Sequence, residues 1–273
     1  MSDRIRRVVV RLDAAADSRN AIATAARLAA RAGAPLHGIF VEDEEVLHLA
    51  ALPFARQVSP GTGSERLTVA MAELHQRSAA ERARAELSAT AGQHDVELSF
   101  EVVRATSGIA LAGAAEVDLV VAGALNRPIA GQFRVSCRWW SSIEDARAPV
   151  LLVHHAWSGG AVAAVLRDRG ESAARLLRTA ARLARISESS LIIIGPPALA
   201  RSRAFGEWIA EHLGDPPIPV QIEPAPSNPA TLPELLAGRD CHLLAIEPRQ
   251  TEGSSNRLRE FVERFSCNLL IAA

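Results

Sequence analysis

Few residues in this chain of 273 have the type and spacing to do chemistry. Asp13 closes the apolar run Val8-Val9-Val10-Arg11-Leu12 and stands just ahead of a helix-like segment. A second candidate follows another apolar run: Gly123, Asn126, Ser136 and Cys137, with Arg127, Arg134 and Arg138 among them. A small-residue loop after a strand can wrap an anion with backbone N–H groups, because glycine permits the close approach. The arginines either fork onto that anion or stand as solvated surface. Cys137, beside Arg138 at a helix start, is placed for a lowered thiol pKa and redox sensitivity.

Composition excludes several chemistries. All 30 basic residues are arginine, and there is no tyrosine. No lysine is present to form a Schiff base or to reach a phosphate from a P-loop. Alanine and arginine richness without lysine reads as a GC-rich genomic signature. No Gly-x-Ser-x-Gly occurs, which removes the usual hydrolase nucleophile elbow. Gly61-Thr62-Gly63 follows a polar loop, so it is no dinucleotide fingerprint. Ser158-Gly159-Gly160 precedes a strand and reads as a linker. His154 and His155 are neighbours at a strand end and point to opposite faces, which suits surface residues better than a metal site. A net charge of -1 argues against a nucleic-acid partner. No apolar run reaches the about 20 residues of a membrane span. The N-terminus lacks a signal-peptide core, and three cysteines without metal spacing suit a reduced interior. The expected location is cytoplasmic.

The elements that must position these residues come in two series. The segment Thr24-Ala25-Ala26-Arg27-Leu28-Ala29 recurs letter for letter from Thr179 to Ala184. At the same offset Val10 falls on Val165, Asp13 on Asp168 and Leu36 on Leu191, which indicates two copies of one unit. In the first copy, strands are expected at 8–12, 36–41, 96–103, 117–122 and 149–153. Helices are expected from Asp17 or Ser18, either able to cap, to Arg31, and at 65–91, 107–115 and 138–146. Residues 58–64 read as a flexible loop within a long segment, 42–94, that has no equivalent in the second copy. Its opening, Glu42-Asp43-Glu44-Glu45 before an apolar face, suits a helix start, and the segment reads as an ordinary second helix with a longer lead-in, the alternatives being a lid or a docking surface. The second copy has strands at 162–166, 191–194, 219–222, 241–246 and 268–271. Its helices fall at 171–185, 199–213, 229–237 and 256–265. Strands alternating with helices mean parallel sheets covered on both faces, in domains 1–156 and 157–273.

This order resembles the universal stress protein family over nearly the whole chain. Family members look like Gly-x2-Gly-x9-Gly-Ser/Thr after the fourth strand, then Ala-x2-Pro-Val and an apolar strand. Ala146-x2-Pro149-Val150-Leu151-Leu152-Val153 matches that tail, and counting back places Gly123, Asn126, Ser136 and Cys137 at the loop positions. Only the first glycine is kept. Asn126 tolerates a left-handed backbone. Ser136 crowds the phosphate's approach to a helix N-terminus, and Cys137 is a weaker donor than Ser or Thr.

The resemblance implies two tandem adenine-nucleotide α-hydrolase-like domains, each a five-stranded parallel sheet, pairing through 149–153 and 268–271 as an internal pseudo-dimer. It places Asp13 and Val41 beside an adenosine pocket, although Asp13 also reads as a turn or cap residue. It makes Asp168 the repeat of Asp13, while Glu247-Pro248-Arg249-Gln250 replaces the second copy's glycine loop, so that copy binds no nucleotide. The expected function is non-enzymatic: stress response or regulation through a small ligand or an unknown protein partner, with a homodimer as a further assembly. The alternatives are an ATP- or AMP-binding module in the first copy, with slow hydrolysis, and a ligand-free scaffold. No catalytic residue, metal or obligatory cofactor is expected; ATP is the candidate ligand.

Overall fold

Short runs of Val, Ile, Leu and Ala, bounded by turns and separated by amphipathic helices, become buried parallel strands because both faces find cover. The computed structural model describes residues 4–14, 18–59, 63–105, 119–123, 146, 148–157, 159–226, 231–247 and 267–272. The expected helices at 107–115 and 256–265, and all but the last residue of that at 138–146, lie outside these residues, as do Asn126, Ser136 and Cys137.

The first series runs β1 (Val8–Asp13), α1 (Arg19–Ala32), β2 (Leu36–Asp43) and α2 (Glu44–Ala50). It continues with β3 (Arg56–Ser59), β4 (Gly63–Arg66), α3 (Val69–Gln93), β5 (Leu98–Ala105), β6 (Leu119–Gly123) and β7 (Val150–Val153). The second runs β8 (Ala161–Val165), α4 (Glu171–Ile186), β9 (Leu191–Gly195), α5 (Pro197–Ala200) and α6 (Arg203–Leu213). It ends with β10 (Val220–Pro224), α7 (Leu232–Ala237), β11 (Cys241–Ile246) and β12 (Asn268–Ile271).

Ten strands form one sheet in the order β10-β9-β8-β11-β12-β7-β6-β1-β2-β5. All neighbours are parallel except β12 and β7, which pair antiparallel as expected of the two final strands. Outward from that pair, each half repeats the same order, so the sheet has approximate two-fold symmetry. Leu151 faces Leu270 at its centre, flanked by Leu152 opposite Leu269 and Val150 opposite Ile271. All six side chains are buried.

One sheet face packs on α1, α3, α4 and α6 through Ile22, Leu28, Leu87, Leu176, Leu183 and Phe205. The other carries Val120, Val150, Ile192, Leu244 and Leu269, with Leu232 and Leu236 of α7 over it. The repeated hexapeptide lies in α1 and α4, where its Ala and Leu side chains form the buried face of each helix. Gly33, at φ 60, ends α1 with a left-handed cap. The linker is clasped by α1: Trp157 N–H donates to Thr24 Oγ1 at 3.0 Å and Arg27 Nη1 donates to the Trp157 carbonyl at 2.9 Å. No helix among the described residues is long and apolar enough to cross a membrane.

Four expectations change. Of residues 58–64, expected as a loop, Val58, Ser59, Gly63 and Ser64 belong to the hairpin β3–β4, an antiparallel pair separate from the main sheet, and 60–62 lie outside the described residues. Its strands hide from pattern reading because β4 is exposed along its whole length. The helix expected over 199–213 is two helices, with a break at Arg201-Ser202. Those helices lie between the second and third strands of their half, where α2 and α3 lie in the other, so segment 42–94 is a longer version of a shared connection. Ser18 occupies the N-cap position of α1 but makes no side-chain capping bond.

Cys241 and Cys267 pack against the second core cluster. Burial raises the Cys241 thiol from 9.0 to about 11, and burial with the neighbouring Cys241 raises Cys267 to about 12. The unfolded chain therefore loses these protons at lower pH than the folded chain does. Stability from this source is intact below pH 9 and falls as pH rises through the folded values. With no lysine or tyrosine, thiols are the only side chains titrating in that window. Urea unfolding across it should show a progressive loss of stability that Cys241→Ala/Cys267→Ala largely removes. For the central pair, Leu151→Ala should cost about 2–5 kcal/mol in the same measurement, the range for emptying a buried leucine site.

Candidate functional site

In an open parallel sheet, ligands bind beyond the carboxyl ends of strands where the chain's crossovers diverge. Here β1 connects outward to β2, and β6 lies on its other side, so the divergence falls between β1 and β6. Asp13 is the last residue of β1 and Gly123 the last of β6. Arg11 stands opposite Ala122, and Asp13 stands opposite Val41 on β2. The fold thus gathers Asp13, Val41 and Gly123 at neighbouring strand ends.

The group that most changes this crevice is Arg11. Strand alternation puts its side chain on the same face as Asp13 and Val9, away from α1. Its Nη1 donates to Asp13 Oδ2 at 2.8 Å, and only 8% of Arg11 is exposed. A guanidinium and carboxylate withdrawn from water hold each other, and removing either partner takes a charged hydrogen bond from the other. Val41 is also buried, and its neighbour on the outer side is Val103.

Asp43 adds a second carboxylate at the end of β2. Its Oδ1 accepts from the Glu45 N–H at 2.9 Å, capping α2, while its carbonyl accepts from Gln76 Nε2 at 3.0 Å. Burial raises its pKa; the Glu45 N–H bond and the Arg11 charge oppose that rise, and the Glu45 and Asp13 charges add to it. Arg104 Nη2, on the outer strand, bridges Glu42 at 3.1 Å and Glu73 at 3.5 Å, tying β2, β5 and α3 together. Among the described residues, the β1 and β2 ends thus carry the carboxylates of Asp13 and Asp43 beside the buried Arg11, with Glu42 paired to Arg104.

Arg11 and Asp43 were not among the candidates read from the sequence. The signal for Arg11 was a lone charge inside Val8-Val9-Val10-Arg11-Leu12, which needs a partner if that strand is buried. For Asp43 it was an acid followed by Glu44-Glu45 at a helix start.

Among the described residues, the second half does not repeat this arrangement. Val8 pairs with Leu36, and Val162 pairs with Leu191, so Val8 corresponds to Val162. Counting along the strands then sets Val10 on Ala164 and Asp13 on Arg167. The expected match of Asp13 with Asp168 is one residue out of register, and on a strand one residue changes the face. Asp168 instead accepts from the Gly170 N–H at 2.7 Å in the turn before α4. Val121 pairs with Val10 and Ala245 with Ala164, so Glu247 takes the place of Gly123. It is 7% exposed, a buried acid where an anion would have to enter.

Two further groups are polar scaffolding. His37 Nδ1 lies 2.7 Å from Ser99 Oγ, and its Nε2 lies 3.2 Å from Glu101 Oε1. The connectivity is that of a nucleophile, base and orienting acid. Its setting is an outer sheet face near the amino ends of β2 and β5, away from the crevice, where it links two strands. At the linker, Asn268 Oδ1 accepts from the N–H groups of His154 at 2.9 Å and His155 at 3.2 Å. Burial lowers the His154 pKa, and the His155 charge adds to this. No cluster of His, Cys, Asp and Glu among the described residues is placed to hold a metal.

No protein-family model matches the chain, and no curated protein does. Solved structures do. A universal stress protein from Archaeoglobus fulgidus DSM 4304 superimposes with a TM-score of 0.69 at 12% identity, covering 98% of this chain and 96% of that one. A protein from Pseudomonas aeruginosa UCBPP-PA14, provisionally named a universal stress protein, gives 0.60 at 15% identity, with 98% and 93% covered. A functionally unknown protein from Pseudomonas aeruginosa PAO1 gives 0.58 at 15%, with 98% and 92% covered. Over nearly its whole length, the chain has the universal stress protein fold.

Proposed function

We propose that this is a non-enzymatic regulatory protein of the universal stress type, built of tandem units at 1–156 and 157–273. It takes a small ligand in the β1–β6 crevice of the first unit. The observation that carries this reading is the asymmetry of the two halves. Asp13, Val41 and Gly123 meet at the first crevice, whereas the second presents Arg167 and buried Glu247 at the matching places. A carboxylate and a glycine at the first half's strand ends, against an arginine and a buried glutamate in the second, support a ligand site in the first half alone.

The resemblance assigns Asp13 and Val41 to the nucleoside end of the pocket, and Asn126, Ser136 and Cys137 to the phosphate end. Departures from glycine fall entirely on the phosphate end. A ligand would therefore be held through its base and sugar, with little added by a phosphate chain. Asp13 serves this role with one oxygen committed to Arg11. Such a site binds and reports; it does not grip a γ-phosphate for transfer.

A second reading, an ATP- or AMP-binding module in the first unit with slow hydrolysis, draws on the same convergence of Asp13, Val41 and Gly123. Thermal unfolding with adenosine, AMP and ATP separates the two. A ligand at about 100 times its dissociation constant adds about 2.7 kcal/mol of stability. The leading reading predicts similar stabilisation by adenosine and AMP, no larger effect of ATP, and no phosphate release. Asp13→Asn should abolish the effect while keeping the acceptor for Arg11 that Asp13→Ala would remove. Stabilisation by ATP far above adenosine supports the second reading. No effect of any of the three sinks the pocket and leaves partner binding.

A further inference from the structure

Helices α1 and α4 share the repeated hexapeptide, and they share a one-sided charge as well. The first holds three arginines and no acid, and the second holds four arginines and one acid, Glu171. The long helix α3 is a control of similar composition. It holds three arginines and three glutamates, with Glu73 and Arg77 paired at 3.9 Å one turn apart. A GC-rich genome supplies arginine to every helix; it does not strip the acids from two neighbouring ones.

These arginines lie on one surface. At about 100° per residue, Arg175, Arg178, Arg182 and Arg185 fall within about 80° of arc, on the side of α4 away from its buried Leu176, Leu177 and Leu183. From α1, Arg31 Nη1 donates to the Ile186 carbonyl at 3.1 Å, and Arg27 and Arg31 line a small cleft with Ile186 and Ser187. The arginines of α1 thus extend the strip at the carboxyl end of α4. Bonds to carbonyls anchor Arg27, Arg31 and Arg185 there without neutralising their charge. Along α4, Arg178 pairs with Glu171 at 3.1 Å, while the exposed Arg175 side chain has no partner among the described residues. Like charges three or four residues apart on a helix repel. Packing does not demand that cost, because the buried face of α4 is alanine and leucine alone.

The length and the ends of the strip select its occupant. From Arg175 to Arg185 it spans about 15 Å. Glu171 stands before it and the exposed Glu188 just beyond it, so a long polyanion such as a nucleic-acid duplex would run onto an acid at either end. Neither helix has an aromatic residue on which an unpaired base could stack. Neither exposes a large apolar side chain that a membrane or an apolar peptide could cover. A short segment rich in Asp and Glu fits both the charge and the length.

We propose that the α1–α4 strip docks an acidic peptide segment of a partner protein, about ten residues long if helical, whose carboxylates pair with Arg175, Arg178 and Arg182. The strip lies on the sheet face opposite Arg11 and Asp13 and does not depend on a ligand in the crevice.

Fluorescence anisotropy with the full chain tests this. The probes are a labelled helical peptide with glutamate at every third or fourth position, the same peptide with glutamine, and a DNA duplex of equal charge. The acidic peptide should bind, with a Kd that rises steeply with salt, and the glutamine peptide should not. Arg175→Glu/Arg178→Glu should raise the Kd about tenfold or more, with a melting temperature near that of the wild type because both side chains point outward. Arg77→Glu/Arg82→Glu on α3 makes the same change in net charge and should leave the Kd nearly unchanged. No binding of the acidic peptide at low salt overturns the proposal, as does tighter binding of the duplex or an equal loss from the α3 reversal. Adenosine stabilisation reads the crevice alone, so the two proposals stand or fall separately.

Discussion

Everything in this molecule hangs on one antiparallel strand pair. Parallel strands bury both faces under helices, so a five-stranded parallel sheet ending at β7 or β12 would leave a buried-type edge unpaired. Pairing β7 with β12 satisfies both edges at once and sets Leu151 against Leu270 at the centre. The two sheets become one, with outer edges only at β5 and β10. The linker is then fixed from both sides, by Asn268 at the start of β12 and by Thr24 and Arg27 of α1. Arg31 Nη1 adds a bond at 3.1 Å to the Ile186 carbonyl at the end of α4, so the helical layer is joined as well.

Given that frame, the halves are free to diverge where the frame does not depend on them. Strand order is common to both, whereas the strand-end residues differ. The first half keeps a carboxylate at the end of β1 and a glycine at the end of β6. The second carries an arginine and a buried glutamate at the matching places. Divergence at strand ends leaves the core intact because those residues lie at the sheet's rim. Arg11 is the exception: its charge sits inside the sheet and bonds Asp13, which makes the crevice partly a stability feature of the first half.

The fold was legible because its strands are apolar runs bounded by turn residues. Cys241–Ile246 and Asn268–Ile271 are read from the sequence with the bounds they have in the structure. What escaped did so for definite reasons. Strand β4 is exposed along its whole length, so no periodicity betrays the hairpin. The break between α5 and α6 interrupts a helical spacing that runs on from Leu199 to Leu213. The register of β8 was misplaced by one because it was carried over from the repeated helical hexapeptide, and the stretch between strand and hexapeptide is one residue longer in the second half. That single slip carried Asp13 onto Asp168. Of the site, Asp13, Val41 and Gly123 were legible, while the Arg11 pairing was not, since its partner is known only once alternation on β1 is fixed.

Native-state hydrogen exchange tests the central pairing most directly, since strand amides in a continuous core open only when the whole molecule unfolds. If β7 and β12 join the halves as described, the sheet amides of Val150–Val153 and Asn268–Ile271 will exchange with the free energy of global unfolding, far more slowly than those of the outer strand Val220–Pro224. Exchange of the β7 and β12 amides as fast as that outer strand would mean that the halves do not share one sheet, and would contradict the account.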